Sequence, residues 1–159
     1  MTENYEERIA ARRGEAYSEL DHPSDLFLEI RGRDACQLAE NALFAFYDQI
    51  ADIQGFEPRR AQTLEATGAG LGEALRALLA EALYRFDTEG FVAADGEVTV
   101  NEGCEAVPDG PWRLSAQLWG ESADRNRHTL SREIKAVTYH RLTVSHTAEG
   151  WRATVLFDL

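Results

Sequence analysis

Long apolar runs are missing from this 159-residue sequence, and so are the motifs that mark common enzymes. No stretch of about 18 consecutive apolar residues occurs, so we expect no transmembrane helix. Residues 1–17 are charged throughout and contain no apolar segment, so they do not resemble a secretory signal. No P-loop, G-x-G-x-x-G, G-x-S-x-G or H-E-x-x-H motif is present. We therefore expect a cytoplasmic protein with one globular domain.

Cysteine and positive charge are also scarce. The two cysteines, Cys36 and Cys104, are far apart and have no His or Cys partner at ligand spacing, which favours two reduced thiols over a disulfide or a zinc site. The 16 Lys and Arg are outnumbered by 28 Asp and Glu, and the formal net charge is −12. Because nucleic-acid binders neutralise phosphates with a basic surface, this balance argues against strong direct RNA binding, although Arg125, Arg127, Arg132 and Lys135 cluster in sequence. A basic protein or a metal cation is the expected partner.

The apolar pattern predicts an α+β fold in which two amphipathic helices pack on a mostly antiparallel sheet. Helical spacing extends over residues 33–53 and 71–86, and Gly90 suits the left-handed residue that follows a helix. Residues 1–14 are predicted to be a flexible charged arm, either a frayed helix or disordered, before a domain at 15–159. A turn is predicted at 108–111. The predicted strands are 17–19, 26–30, 60–67, 91–93, 98–100, 114–119, 135–146 and 151–159.

Three groups of polar residues lie where a core does not require them. His22 and Asp25 are three residues apart in a proline-containing link between strands, where they either face one site or simply cap the turn. Near the end of the sequence, Asp158 precedes Leu159, so a side-chain carboxylate and an α-carboxylate are neighbours. Two such anionic oxygens call for a cation or a basic side chain between them.

A third group occupies the segment Glu-Ile-Lys-Ala-Val-Thr-Tyr-His at 133–140, which resembles the signature segment of the archease family. From the pattern alone, a histidine on an alternating strand, as His140 is predicted to be, is more often structural than a catalytic base. Four further pieces occur in the family's order: the His22-x-x-Asp25-Leu26 turn, residues 83–90, His128 and the ending Phe-Asp-Leu. The resemblance extends from residue 17 to 159. Pro23-Ser24 departs from the family's Thr-Ala pair and puts the geometry of that turn in question.

This resemblance implies an accessory protein of RtcB-type RNA ligases rather than an enzyme. Such a protein promotes guanylylation and turnover of the ligase in tRNA splicing or RNA repair. The resemblance also implies a divalent cation, calcium or magnesium, bound by Asp25, Asp158 and the carboxylate of Leu159, with Lys135 acting in activation of the ligase. Ligands that are all oxygens agree with these metals. Secondary site candidates are His22, His128, Glu133 and His140.

Two other classes of function stay open. A general chaperone or interaction module would expose a sizeable apolar patch. A metal-dependent hydrolase could use His22, Asp25 and Asp158 around a metal to activate water. The sequence supplies no evident nucleophile for the hydrolase, so the accessory role is preferred.

Overall fold

The computed structural model describes residues 5–101 and 111–159. The turn predicted at 108–111 falls largely outside these residues. Three α-helices, a short 3-10 helix and eight strands follow one another along the described part, which confirms the α+β prediction. In chain order they are α1 (Tyr5–Ala16), β1 (Tyr17–Leu20), β2 (Leu26–Gly32), α2 (Ala35–Ile50), the 3-10 helix Ile53–Gly55, β3 (Arg60–Gly68), α3 (Leu71–Glu89), β4 (Phe91–Val100), β5 (Trp112–Ser122), β6 (Ala136–Val137), β7 (Thr143–Thr147) and β8 (Gly150–Asp158).

The described strands pair antiparallel throughout, as predicted, but they form two sheets rather than one. The first sheet has the order β1-β2-β8, and β6 and β7 both pair with β8 at different points along it. The second sheet has the order β3-β5-β4. Alternate residues of the first sheet form its inner side and are fully buried, for example Leu26, Leu28 and Ile30 of β2.

The two predicted helices are confirmed, and local chemistry explains their ends. Asp34 precedes α2, and its side chain accepts a 2.8 Å hydrogen bond from the N–H of Gln37, as an N-cap residue does. The predicted helix continued to residue 53, whereas α2 ends at Ile50. At the end of α3, Gly90 has φ 70 and donates its N–H to the Phe86 carbonyl at 2.8 Å, so a left-handed glycine terminates the helix as predicted.

Helix α1 lies in the segment that was predicted to be a flexible arm. Arg13 binds Asp48 of α2 through two hydrogen bonds of 2.6 and 2.8 Å, and the Tyr17 hydroxyl donates to the same carboxylate. The Asp48 side chain is only 4% exposed. Much of this segment is therefore helical and tied to the domain.

Three local predictions are wrong. The single strand expected at 135–146 is two short strands, β6 and β7, separated by a turn in which Arg141 has φ 57. The two strands expected at 91–93 and 98–100 are one strand, β4, whose pairing with β5 shifts register between Ala93 and Asp95. Cys36 is disulfide-bonded rather than a reduced thiol; Cys104 lies outside the described residues.

None of the helices in the described part has the length and apolarity needed to cross a membrane.

Candidate functional site

The end of the first sheet brings the two predicted aspartates together. In the antiparallel pairing of β2 with β8, Leu26 lies opposite Phe157. Asp25 immediately precedes Leu26, and Asp158 immediately follows Phe157. Because the strands run in opposite directions, one further step along each leads to positions that face each other across the ladder. Residues 133 positions apart in sequence thus meet at one end of the sheet.

Strand β6 adds the predicted lysine to the same end. It pairs with the other side of β8, where Ala136 lies opposite Asp158. The N–H of Lys135 donates a 2.8 Å hydrogen bond to the Asp158 carbonyl. The side chains of Lys135 and Asp158 are exposed, and that of Asp25 is 27% exposed. The site is therefore an open surface at the edge of three strands, with two carboxylates and one ammonium group.

His22 supports the turn that carries Asp25. Its Nδ1 accepts a 3.2 Å hydrogen bond from the N–H of Asp25 and lies 4.0 Å from the carboxylate oxygen Oδ2. Its ring contacts Phe27 edge to face, with 6.3 Å between the centroids. Since Nδ1 accepts, the ring proton of a neutral His22 is on Nε2. The turn is capped by the histidine rather than by the aspartate.

The donor set decides which metal could suit this end of the sheet. Two aspartate carboxylates are hard oxygen donors, which suit calcium or magnesium better than zinc. In residues 5–101 and 111–159, no group of three or more His, Cys, Asp or Glu side chains is arranged to hold a metal ion. The remaining oxygens would have to come from the Leu159 carboxylate, from backbone carbonyls or from water. The donors present fit such a cation, and its binding stays a prediction.

Lys135 is the only lysine in the sequence, since 15 of the 16 basic residues are arginine. Its ammonium group makes no hydrogen bond or ion pair with any described side chain. Lysine differs from arginine in offering a compact, mobile point charge rather than a planar fork. A single lysine among arginines is a compositional signal for a special position, separate from the motif that names Lys135.

His128 lies away from this site and serves the core. Its side chain is fully buried, and the ring stacks on Phe56 with 3.8 Å between centroids. Its Nδ1 accepts the N–H of Asp124 at 2.9 Å, and its Nε2 lies 2.8 Å from the carboxylate of Glu121. Burial alone would raise the pKa of Glu121, but hydrogen bonds, first among them the one to His128, outweigh it and lower that pKa.

The other two secondary candidates are exposed. Glu133 lies two residues before Lys135, and its side chain makes no hydrogen bond or ion pair in the described part of the chain. His140 lies in the turn between β6 and β7, where its N–H donates to the Thr138 hydroxyl at 3.2 Å. These contacts assign neither residue to the pair of aspartates.

Arg76 of α3 is a member of this region that no sequence pattern marks. Its Nε donates to the carbonyl of Val137 in β6 at 3.0 Å, and its guanidinium donates to the Tyr139 hydroxyl at 3.1 Å. The guanidinium carbon also lies 4.1 Å from the centroid of the Tyr139 ring. Arg76 therefore attaches the segment that follows Lys135 to the adjacent helix.

The fold and the site together define a small α+β protein with an open polar site at the end of a sheet. Residues 17–159 match the Archease protein family (MTH1598/TM1083). The protein archease of Archaeoglobus fulgidus is 35% identical to this chain over 146 residues, which are 90% of this chain and 98% of that protein. The protein archease of Methanosarcina barkeri is 31% identical over 92% of this chain and 97% of its own length. The chain belongs to the archease family.

Two solved structures share the fold. Protein 1598 of Methanobacterium thermoautotrophicum superposes with a TM-score of 0.74 at 24% identity and covers 91% of this chain and 99% of its own. The archease of Thermotoga maritima, described as a possible chaperone, superposes with a TM-score of 0.53 at 16% identity over 89% of this chain and 96% of its own.

Proposed function

We propose that this protein is an accessory factor that activates an RNA ligase of the RtcB type by promoting its guanylylation and turnover in tRNA splicing or RNA repair. The observation that carries the proposal is the convergence of Asp25, Asp158 and Lys135 at the end of the first sheet. These are the residues that the resemblance to archeases marks, and they lie in three separate segments.

The proposed cation is calcium or magnesium, held by Asp25, Asp158 and the carboxylate of Leu159. When bound, it supplies positive charge that phosphate oxygens of a nucleotide can approach. The protein's own groups do the rest: His22 holds the turn of Asp25, and the backbone bond between Lys135 and Asp158 holds the lysine beside the carboxylates. Affinity for such a cation depends on the number of anionic ligands, so each carboxylate contributes to it.

Charge supports a protein partner rather than RNA itself, and the compartment that we propose for it is the cytoplasm. The net charge of −12 repels nucleic acid on average and attracts a basic surface. A ligase that binds a nucleotide triphosphate needs an electropositive cleft. An acidic protein that presents Lys135 at one edge could dock beside that cleft, with the lysine offsetting phosphate charge or pairing with a ligase carboxylate.

The test is guanylylation of an RtcB-type ligase in one pot, with and without this protein, at limiting metal. We expect the wild-type protein to accelerate it, and Asp25→Ala, Asp158→Ala and Lys135→Ala to abolish the effect while circular dichroism and Tm stay unchanged. Asp21→Ala is the matched control, because Asp21 is an exposed carboxylate in the same link between strands. Stimulation that survives in both aspartate variants would contradict the proposed site, and an unresponsive ligase would contradict the function.

A general chaperone is the second candidate, because the Thermotoga maritima relative is described as a possible chaperone. Such proteins bind clients through sizeable apolar patches. Within the described residues, the exposed large hydrophobics are two tyrosines, Tyr84 and Tyr139. Suppression of aggregation of an unrelated unfolded protein would favour the chaperone. Metal-dependent hydrolysis without a ligase would favour the third class, an enzyme.

A further inference from the structure

We infer that Tyr139 is the aromatic anchor by which this protein docks on its ligase, in an apolar pocket rimmed by carboxylates. The inference rests on the proposed function, because the occupant of the surface is the same ligase. It adds a contact residue outside the pair of aspartates and outside the lysine. Four features of the structure support it: exposure of the ring, its fixed orientation, the strained turn that carries it and the charge around it.

The Tyr139 ring is exposed and yet held in place. Its side chain is 65% exposed, the larger value of the two exposed large hydrophobic residues in the described part. Arg76 lies against the ring at 4.1 Å and donates to its hydroxyl at 3.1 Å, while a third contact, to the Val137 carbonyl, fixes the guanidinium itself. A ring fixed in this way loses little conformational freedom on binding, which is what distinguishes strong anchors from ordinary surface side chains.

The turn that presents Tyr139 is strained. Arg141 has φ 57, a left-handed conformation that residues other than glycine seldom adopt. The turn is closed by the N–H of Leu142 donating to the Tyr139 carbonyl at 3.3 Å. The guanidinium of Arg141 lies 4.5 Å over the ring of Phe27 and anchors the turn to β2. Such strain persists only where the surroundings enforce it, and it concentrates at functional positions.

The charge around the ring defines the partner's chemistry. The guanidinium of Arg76 lies against the Tyr139 ring, while His140 and Arg141 follow Tyr139 in sequence and Lys135 immediately precedes β6. Lys135 and Arg141 belong to this segment and Arg76 bonds to it, so three cations accompany it in a protein of net charge −12. An aromatic ring with a guanidinium against it complements an apolar pocket bordered by Asp and Glu. The open ring face is backed by a cation, so it suits an apolar or aromatic contact better than a second cation.

The chain supplies its own control in Tyr84. That residue lies on α3 and is 60% exposed, close to the exposure of Tyr139, but its ring makes no aromatic or cation contact with the described residues. Removing Tyr84 deletes the same chemical group from a surface without a fixed ring, a strained turn or a guanidinium against the ring. A difference in binding between the two alanine variants therefore depends on the surroundings of Tyr139 rather than on a general tendency of exposed tyrosines to bind proteins.

The experiment measures the Kd of purified variants for an RtcB-type ligase by calorimetry, with Tm as the check on folding. We expect Tyr139→Ala to weaken binding by about 30-fold or more, the range of a strong interface anchor. Tyr139→Phe, which keeps the ring, should bind within about 3-fold of wild type, and so should Tyr84→Ala. Arg76→Met, which releases the ring without removing it, should give an intermediate loss.

Three outcomes would overturn the inference. If wild type binds the ligase and Tyr139→Ala binds as tightly as Tyr84→Ala, Tyr139 is not the anchor and the proposed function stands. If Tyr139→Ala loses binding to an RNA oligonucleotide but not to the ligase, the ring stacks on bases instead. If the wild-type protein does not bind the ligase, the proposed function and this inference fail together.

Discussion

Substitution of His128 tests whether this histidine supports the core or belongs to the site. In His128→Phe the stacking on Phe56 is retained, while Asp124 loses an acceptor for its N–H and Glu121 loses a donor. A buried group left without its partner costs about 1–3 kcal/mol. Asp124 is exposed, so its N–H can donate to water instead. Glu121 keeps its 3.1 Å hydrogen bond from Arg127. The two losses together should therefore lower the free energy of unfolding by about 2 kcal/mol.

His128→Ala removes the ring as well and leaves a cavity against Phe56. Truncating a buried aromatic ring costs about 3–5 kcal/mol in general, so this variant should lose roughly twice as much stability as His128→Phe. For a domain of this size, 1 kcal/mol corresponds to roughly 2–4 °C in Tm, which gives a fall of about 4–8 °C for the phenylalanine variant. Urea unfolding with an unchanged m-value should reproduce the same order of stability.

The same variants separate stability from activity. Below their melting range, both should stimulate guanylylation of the ligase as the wild type does, because His128 lies away from the aspartates and Lys135. A His128→Phe protein that melts together with the wild type would refute the energetic reasoning. A variant that is fully folded but no longer stimulates the ligase would place His128 in the functional site.

Three further changes have definite expected outcomes. Lys135→Arg keeps the charge but not the compact ammonium group, so it should stimulate the ligase poorly at wild-type Tm, and full activity would show that any cation suffices. The depressed pKa of Glu121 means that its stabilising effect is present above the usual glutamate range, about pH 4.3, and is lost as the pH falls through the lower folded value. Glu121→Gln should therefore be less stable than wild type at pH 7, and its Tm should fall less steeply than that of wild type below about pH 4.3. An equally steep fall of Tm in the two proteins would contradict this. Asp48→Ala removes the carboxylate that binds Arg13 and Tyr17, so it should lower the free energy of unfolding by about 2 kcal/mol and expose α1 to proteolysis. An unchanged cleavage pattern would show that α1 is held by its other contacts.

The helices were predictable because the information that defines them is local. Apolar residues at helical spacing located α2 and α3, and Gly90 marked the end of α3 because only glycine adopts its left-handed backbone without strain. The strand predicted at 135–146 failed for the complementary reason. Its alternating pattern is real, but the reversal at Arg141 depends on β8, which offers one stretch of its edge to β6 and another to β7.

The candidate residues were also named from the sequence, since their resemblance to archease motifs is a property of short segments. The proximity of Asp25 and Asp158 could not be predicted from the sequence. It follows from the register that places Leu26 opposite Phe157, and a shift of one residue would move Asp25 and Asp158 out of line. The roles of His22 and His128 could not be separated in the sequence, because each is simply a histidine near an acidic residue.

The sequence by itself determined the class of fold, the family and the identity of the acidic and basic residues that carry the proposed site, because composition, periodicity and motifs are written along the chain. Only the tertiary structure decided that two sheets form, that α1 is tied to Asp48, that His128 belongs to the core and that Arg76 fixes the exposed ring of Tyr139. Each of these depends on contacts between residues far apart in sequence. Such contacts are selected by the packing of the whole chain rather than by any local preference.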